Sequence, residues 1–115
     1  MAGFKLGRIT GDIQRELADI LREVKDPRVS ELLSIVKIDL SGDLSYAKVY
    51  VSAIEGEAAT ADSVKGLKNA AGFIRRELGH RLQLRKVPEL RFIADDSIAR
   101  SAQIASIIDS FEEEK

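Results

Sequence analysis

Apolar residues recur at helical spacing early in the chain. Ile9, Ile13, Leu17, Ile20, Leu21 and Val24 form one stripe, and Asp12, Arg15, Glu16, Asp19, Arg22 and Glu23 fall between them. That period predicts an amphipathic helix from Arg8 to Val24. Asp26-Pro27 ends it, because a residue before proline is steered out of helical geometry. The period then drops to two. Leu33 to Leu40 and Leu44 to Ile54 are rich in β-branched and aromatic residues and flank Ser41-Gly42-Asp43, which predicts a hairpin. In its second strand Ala47, Val49, Val51 and Ala53 alternate with Tyr46, Lys48, Tyr50 and Ser52, so one face is buried and the other partly wet.

Helical spacing returns from about Ala61 to Leu82, with Val64, Leu67, Ala71, Ile74 and Leu78 as the stripe. Gly56 to Thr60 is the link, and Thr60 or Asp62 is the expected cap. Gly72 interrupts the stripe, and Gly79 is a second weak point. A glycine inside a helix costs roughly 1 kcal/mol against alanine, so Gly72 predicts a bend or a close backbone approach. Val87-Pro88 leads into a third strand, Glu89 to Ala94, with Leu90, Phe92 and Ala94 on one face. Asp95 or Asp96 is expected to cap a last helix from about Ser97 to Phe111, followed by a short acidic tail. Phe4, Phe73, Phe92 and Phe111 are assigned to packing. The order predicts one α+β domain over residues 1–115, with an ordered core of about 6–110. Its three-stranded sheet carries helices on one face.

Charge sharpens this picture. The whole chain is near neutral at −1, yet residues 65–91 hold eight cations against Glu77 and Glu89, a local +6. The other ten cations and seventeen anions give −7. Such asymmetry is the footprint of a polyanion-binding surface, with a solvated helix face as the alternative. Lys65, Lys68, Gly72, Arg75 and Arg76 fall on one arc of the interrupted helix, and Arg81, Arg85 and Lys86 follow on the next connection. These eight are the candidate nucleic-acid-binding residues: cations neutralise phosphates and release counterions, and arginine adds bidentate contacts. Gly72 lets either a phosphate backbone or a neighbouring helix come close. Glu77 is an i,i+4 partner for Arg81. Arg8 and Arg15, with Arg22, lie seven apart and extend the patch unless their acidic neighbours make a mixed solvated face. Lys37 and Lys48 stand with Tyr46 and Tyr50 on the open side of the hairpin, where a tyrosine either stacks on a base or is simply half-buried.

Other chemistry is absent from the pattern. There is no cysteine, hence no disulfide or thiolate metal site, and His80 is the only histidine. No serine is marked as a nucleophile. Asp39 and Asp43 read as hairpin-end residues, and Gly3, Gly7 and Gly11 follow no strand, so they form no phosphate loop. No catalytic group, metal or cofactor is expected, nor a small-molecule substrate. The N-terminus lacks the apolar core of a signal peptide and no run is long enough to span a bilayer, which fits a cytoplasmic protein with no membrane partner.

Helix–strand–strand–helix–helix–strand is the topology of the type II K-homology domain, which clamps single-stranded backbone with a Gly-x-x-Gly loop. Here that loop is replaced by Asn69-Ala70-Ala71-Gly72, an Ala-x-Gly with the helix kinked at the junction. Further motifs follow the same register: Lys25-Asp26-Pro27-Arg28-Val29, the hairpin from Asp43 to Val51, Arg75-Arg76-Glu77-Leu78, Val87-Pro88-Glu89-Leu90-Arg91-Phe92 and Asp95-Asp96-Ser97-Ile98. With these the chain resembles the bacterial ribosome-binding factor A family from about Gly3 to Asp109. The resemblance implies a monomeric, non-enzymatic assembly factor in a type II K-homology-like fold. It would bind the free 30S subunit and 16S rRNA, assist late maturation of that RNA and support cold adaptation. The alternative is a protein-interaction module using the acidic remainder or the hairpin edge.

Overall fold

The computed structural model describes residues 2–95, with side chains from Gly7 onward. Helix α1 (Ala2–Glu23) is followed by strands β1 (Leu33–Leu40) and β2 (Tyr46–Ala53), helices α2 (Glu57–Asn69) and α3 (Ala71–Leu82), and strand β3 (Glu89–Ala94). The helix expected at 97–111 lies outside the described residues, as do Asp96 and Phe111.

The predicted stripe of α1 is its buried face: Ile13, Leu17 and Ile20 are fully enclosed. Strand order is β1-β2-β3, antiparallel between β1 and β2 and parallel between β2 and β3. The register aligns Ile38, Val49 and Phe92 across all three strands, and Leu40, Ala47 and Leu90 in the next row. These rows face the helices. α1 lies over β1 and against α3, while α2 lies over β2 and β3. Burying fourteen apolar side chains in one cluster, at roughly 1.5–3 kcal/mol for each large one, supplies the driving force for this two-layer arrangement. Ala94, expected on the buried face, is exposed at the strand's end.

Among the described residues no helix covers the opposite sheet face. Paired there are Lys37 with Tyr50, Asp39 with Lys48, Tyr46 with Glu89, and Lys48 with Arg91. The Lys37 ammonium sits 4.6 Å from the centre of the Tyr50 ring, and the Arg91 guanidinium 4.2 Å from that of Tyr46. The hairpin turn is held by Asp43, which accepts from the Ser45 amide and hydroxyl and from the Ser41 hydroxyl. Leu44 takes the left-handed conformation there, at φ 61°.

Three local expectations are corrected. Neither Thr60 nor Asp62 caps α2, which begins at Glu57 behind Gly56. Thr60 is buried, and its hydroxyl donates to the Gly56 carbonyl while accepting from the Ala53 amide, tying β2 to the helix. The break between α2 and α3 falls at Ala70 (φ −93°, ψ 7°) and not at Gly72. Its N–H is shared between the Gly66 and Leu67 carbonyls at 3.1 Å each. Finally, Gly79 is no weak point: a Cβ there would lie 2.8 Å from Val87 Cγ2, so its lack of a side chain lets α3 and the next connection pack. Gly66 has the same role, with Val29 Cγ2 at 2.6 Å from such a Cβ.

Candidate nucleic-acid interface

The α2–α3 joint is built by competing packing demands. Thr60, Ser63, Val64, Gly66 and Leu67 turn α2 onto the sheet and the Asp26–Val29 turn, whereas Ile74 and Leu78 turn α3 toward α1. Around the joint, Lys65, Lys68, Asn69, Gly72 and Arg76 are exposed, and Ala70 and Ala71 are half-buried. Lys65, Lys68 and Arg76 pair with no carboxylate among the described residues. At Gly72 a Cβ would meet nothing within 4 Å, so helix packing does not account for this glycine. Its surroundings are open to a ligand.

Two of the eight candidates have other partners. Arg81 is a clamp between helices. Its Nη1 donates to Asp19 at 2.6 Å and its Nη2 to Glu23 at 2.8 Å, with Glu16 at 3.6 Å and the foreseen Glu77 only at 3.8 Å. The hydrogen bonds to Asp19 and Glu23 raise the guanidinium's pKa, so it stays charged at any accessible pH. Surrounded by four carboxylates, Arg81 is removed from the candidate RNA contacts. Arg75 is a hook: Nη2 and Nε donate to the Val87 carbonyl at 2.7 and 3.3 Å, fixing the connection into β3. Its charge remains exposed, but its position is set by the fold. Arg85 and Lys86 are exposed on that connection, with Lys86 near enough to Asp43 to help hold that carboxyl low.

On α1, Arg15 donates to Asp12 at 2.7 Å, so this residue forms part of a mixed face, whereas Arg8 is exposed and has no ion pair among the described residues. One packing assignment is corrected. Phe73, assigned to packing, is 40% exposed beside Gly72, while Phe92 is packed at 3%. The signal was available: Phe73 lies a helical quarter-turn off the Ile74–Leu78 face.

Among the described residues there is no group of three or more side chains able to hold a metal ion, and no helix long and apolar enough to cross a membrane. What the joint offers is charge, an open glycine and an exposed ring, which suit binding of a polyanion.

The ribosome-binding factor A family model matches residues 5–108. A ribosome-binding factor A from Acetivibrio thermocellus is 51% identical over 105 residues, covering 90% of this chain and 85% of its own length. The crystal structure of ribosome-binding factor A from Thermus thermophilus superposes with a TM-score of 0.69 at 28% identity, covering 76% of this chain and 92% of that one. A homology model of the Thermus thermophilus protein, fitted into a cryo-electron-microscopy map of a 30S complex, gives a TM-score of 0.66 at 28% identity, with 77% and 93% covered. In sequence and in its K-homology-like fold, therefore, this chain belongs to the ribosome-binding factor A family.

Proposed function

We propose that this protein is a non-catalytic assembly factor that docks on the free 30S subunit through 16S rRNA and assists late maturation of that RNA. The observation that carries this reading is the division of charge at the α2–α3 joint. Lys65, Lys68 and Arg76 project without carboxylate partners, while Glu16, Asp19, Glu23 and Glu77 gather on Arg81. A polyanion thus meets free cations beside an open Gly72, with the positive end of the α3 dipole adding to the field. Arg85 and Lys86 are a second contact, and Arg8 extends the surface on α1. A Thermus thermophilus relative fitted into a map of a 30S complex supports the same partner. We read the protein as a cytoplasmic monomer acting in ribosome biogenesis, with a role in growth at low temperature.

Co-sedimentation with free small subunits and with assembled ribosomes tests the proposal. Lys68→Glu combined with Arg76→Glu leaves the described hydrogen bonds intact, so the fold survives and association with free subunits is lost. Wild-type-like sedimentation of this folded variant would refute the assigned surface. Equal binding to assembled ribosomes would refute the stage of action.

A further inference from the structure

Among the described residues Phe73 is the exposed aromatic ring in the midst of these cations. On α3, Ile74 and Leu78 mark the inner face; at 100° per residue, Phe73 stands about 100°, His80 about 120° and Arg76 about 160° from Ile74 on the outer side. Phe73, Arg76 and His80 therefore form one exposed strip at i, i+3 and i+7. Gly72 leaves open volume next to the ring, and Lys68 stands just before the joint. Among the described residues the other exposed large hydrophobics, Leu32, Val36 and Ile54, are aliphatic and lie on or beside the first two strands.

We propose that Phe73 is a base-stacking residue: its ring receives an unpaired RNA base while Arg76 and Lys68 hold the neighbouring phosphates. This rests on the RNA-binding reading above and adds the side chain that receives a base. A ring on a convex helix cannot reach bases stacked inside a duplex, so the ligand is single-stranded, as in a loop, bulge or end. The strip has a cation and an imidazole beside the ring and no second large apolar residue. A protein interface core would need such a residue, whereas a nucleotide supplies one π-face and one charge.

The chain contains no tryptophan, so Phe73→Trp places a single indole at the site. The probes are a short oligoadenylate and an RNA duplex of matching length, with the full chain as the protein. Oligoadenylate should quench the indole and the duplex should not. Phe73→Ala should weaken oligoadenylate binding by roughly 5- to 140-fold, the range expected for one stacked base, with the salt dependence unchanged because no phosphate contact is removed. Phe73→Leu, which keeps apolar bulk without a π-face, should fold as wild type and show the same loss. Phe73→Ala and Phe73→Leu binding oligoadenylate as tightly as wild type, while Lys68→Glu with Arg76→Glu loses it, would overturn the stacking assignment and leave the basic surface standing. If the wild type binds neither probe nor free subunits, both readings fall. Loss of subunit binding alone, with oligoadenylate affinity intact, would put a ribosomal protein against the ring and would also overturn the proposal.

Discussion

Replacing Gly72 with alanine separates two explanations for that glycine. Gly72 is the second residue of α3, its φ is not positive, and a Cβ would meet nothing within 4 Å. Alanine therefore adds no strain there and restricts the unfolded chain, a gain of about 0.5–1 kcal/mol, with the lower end expected in a first helical turn. A gain of about 0.5 kcal/mol corresponds to roughly 2–3 °C in Tm. Gly66→Ala is the matched comparison. It has the same intrinsic gain, but its Cβ would lie 2.6 Å from Val29 Cγ2 and 3.2 Å from Asp26 Cγ. Overpacking of about 1–3 kcal/mol outweighs that gain, leaving this variant less stable by about 1 kcal/mol. Thermal and urea unfolding of both variants measures the contrast. If Gly72→Ala were destabilised as much as Gly66→Ala, the bend would depend on glycine after all. Binding adds a second readout: if RNA backbone approaches at Gly72 as proposed, the stabilised Gly72→Ala protein should hold free subunits less tightly, because the new methyl group would stand in its way. Higher Tm with unchanged affinity would refute that approach.

Further expectations follow from the same geometry. Gly79→Ala places a Cβ 2.8 Å from Val87 Cγ2 and should lower Tm, measured by thermal unfolding, while leaving oligoadenylate affinity unchanged. Arg81→Gln leaves the carboxylates of Glu16, Asp19, Glu23 and Glu77 facing one another; its urea midpoint should fall below wild type, and added salt should narrow the gap. Hydrogen bonds from the Ser45 hydroxyl and amide and the Ser41 hydroxyl, aided by Lys86, lower the Asp43 carboxyl from 3.8 to about 2. A depressed carboxyl pKa stabilises the fold above the ordinary value and loses that contribution as pH falls through the folded one. Asp43→Asn should therefore melt below wild type at pH 7, with the difference vanishing near pH 2 in a melting series.

Most of the architecture was legible because each element carries its own period. The stripe of α1, the alternation in β2 and the Leu90–Phe92 pair of β3 are local patterns with one packing solution. The joint was legible only in part. The Asn69-Ala70-Ala71-Gly72 motif marked its neighbourhood, yet the bend sits at Ala70, in the bridge region, which requires no glycine, so no residue type announces it. It bends because the two helices pack on different partners, a tertiary demand. The fate of Arg81 was hidden for the same reason. Its strong partners, Asp19 and Glu23, lie on another helix, and helical spacing shows only Glu77. Gly79 reads as a weak point and Gly66 carries no signal of its own; both become contacts only once Val87 and Val29 are folded against them.

The pairing of Tyr46 with Glu89 joins distant parts of the chain, and everything between them must emerge before that ladder closes. During synthesis, α1 and the hairpin can assemble early, leaving β2, the middle strand, with one side of bare amides and carbonyls. A nascent chain stalled short of Glu89 would thus leave the edge of β2 open to pairing with another chain, a place that β3 fills once it arrives.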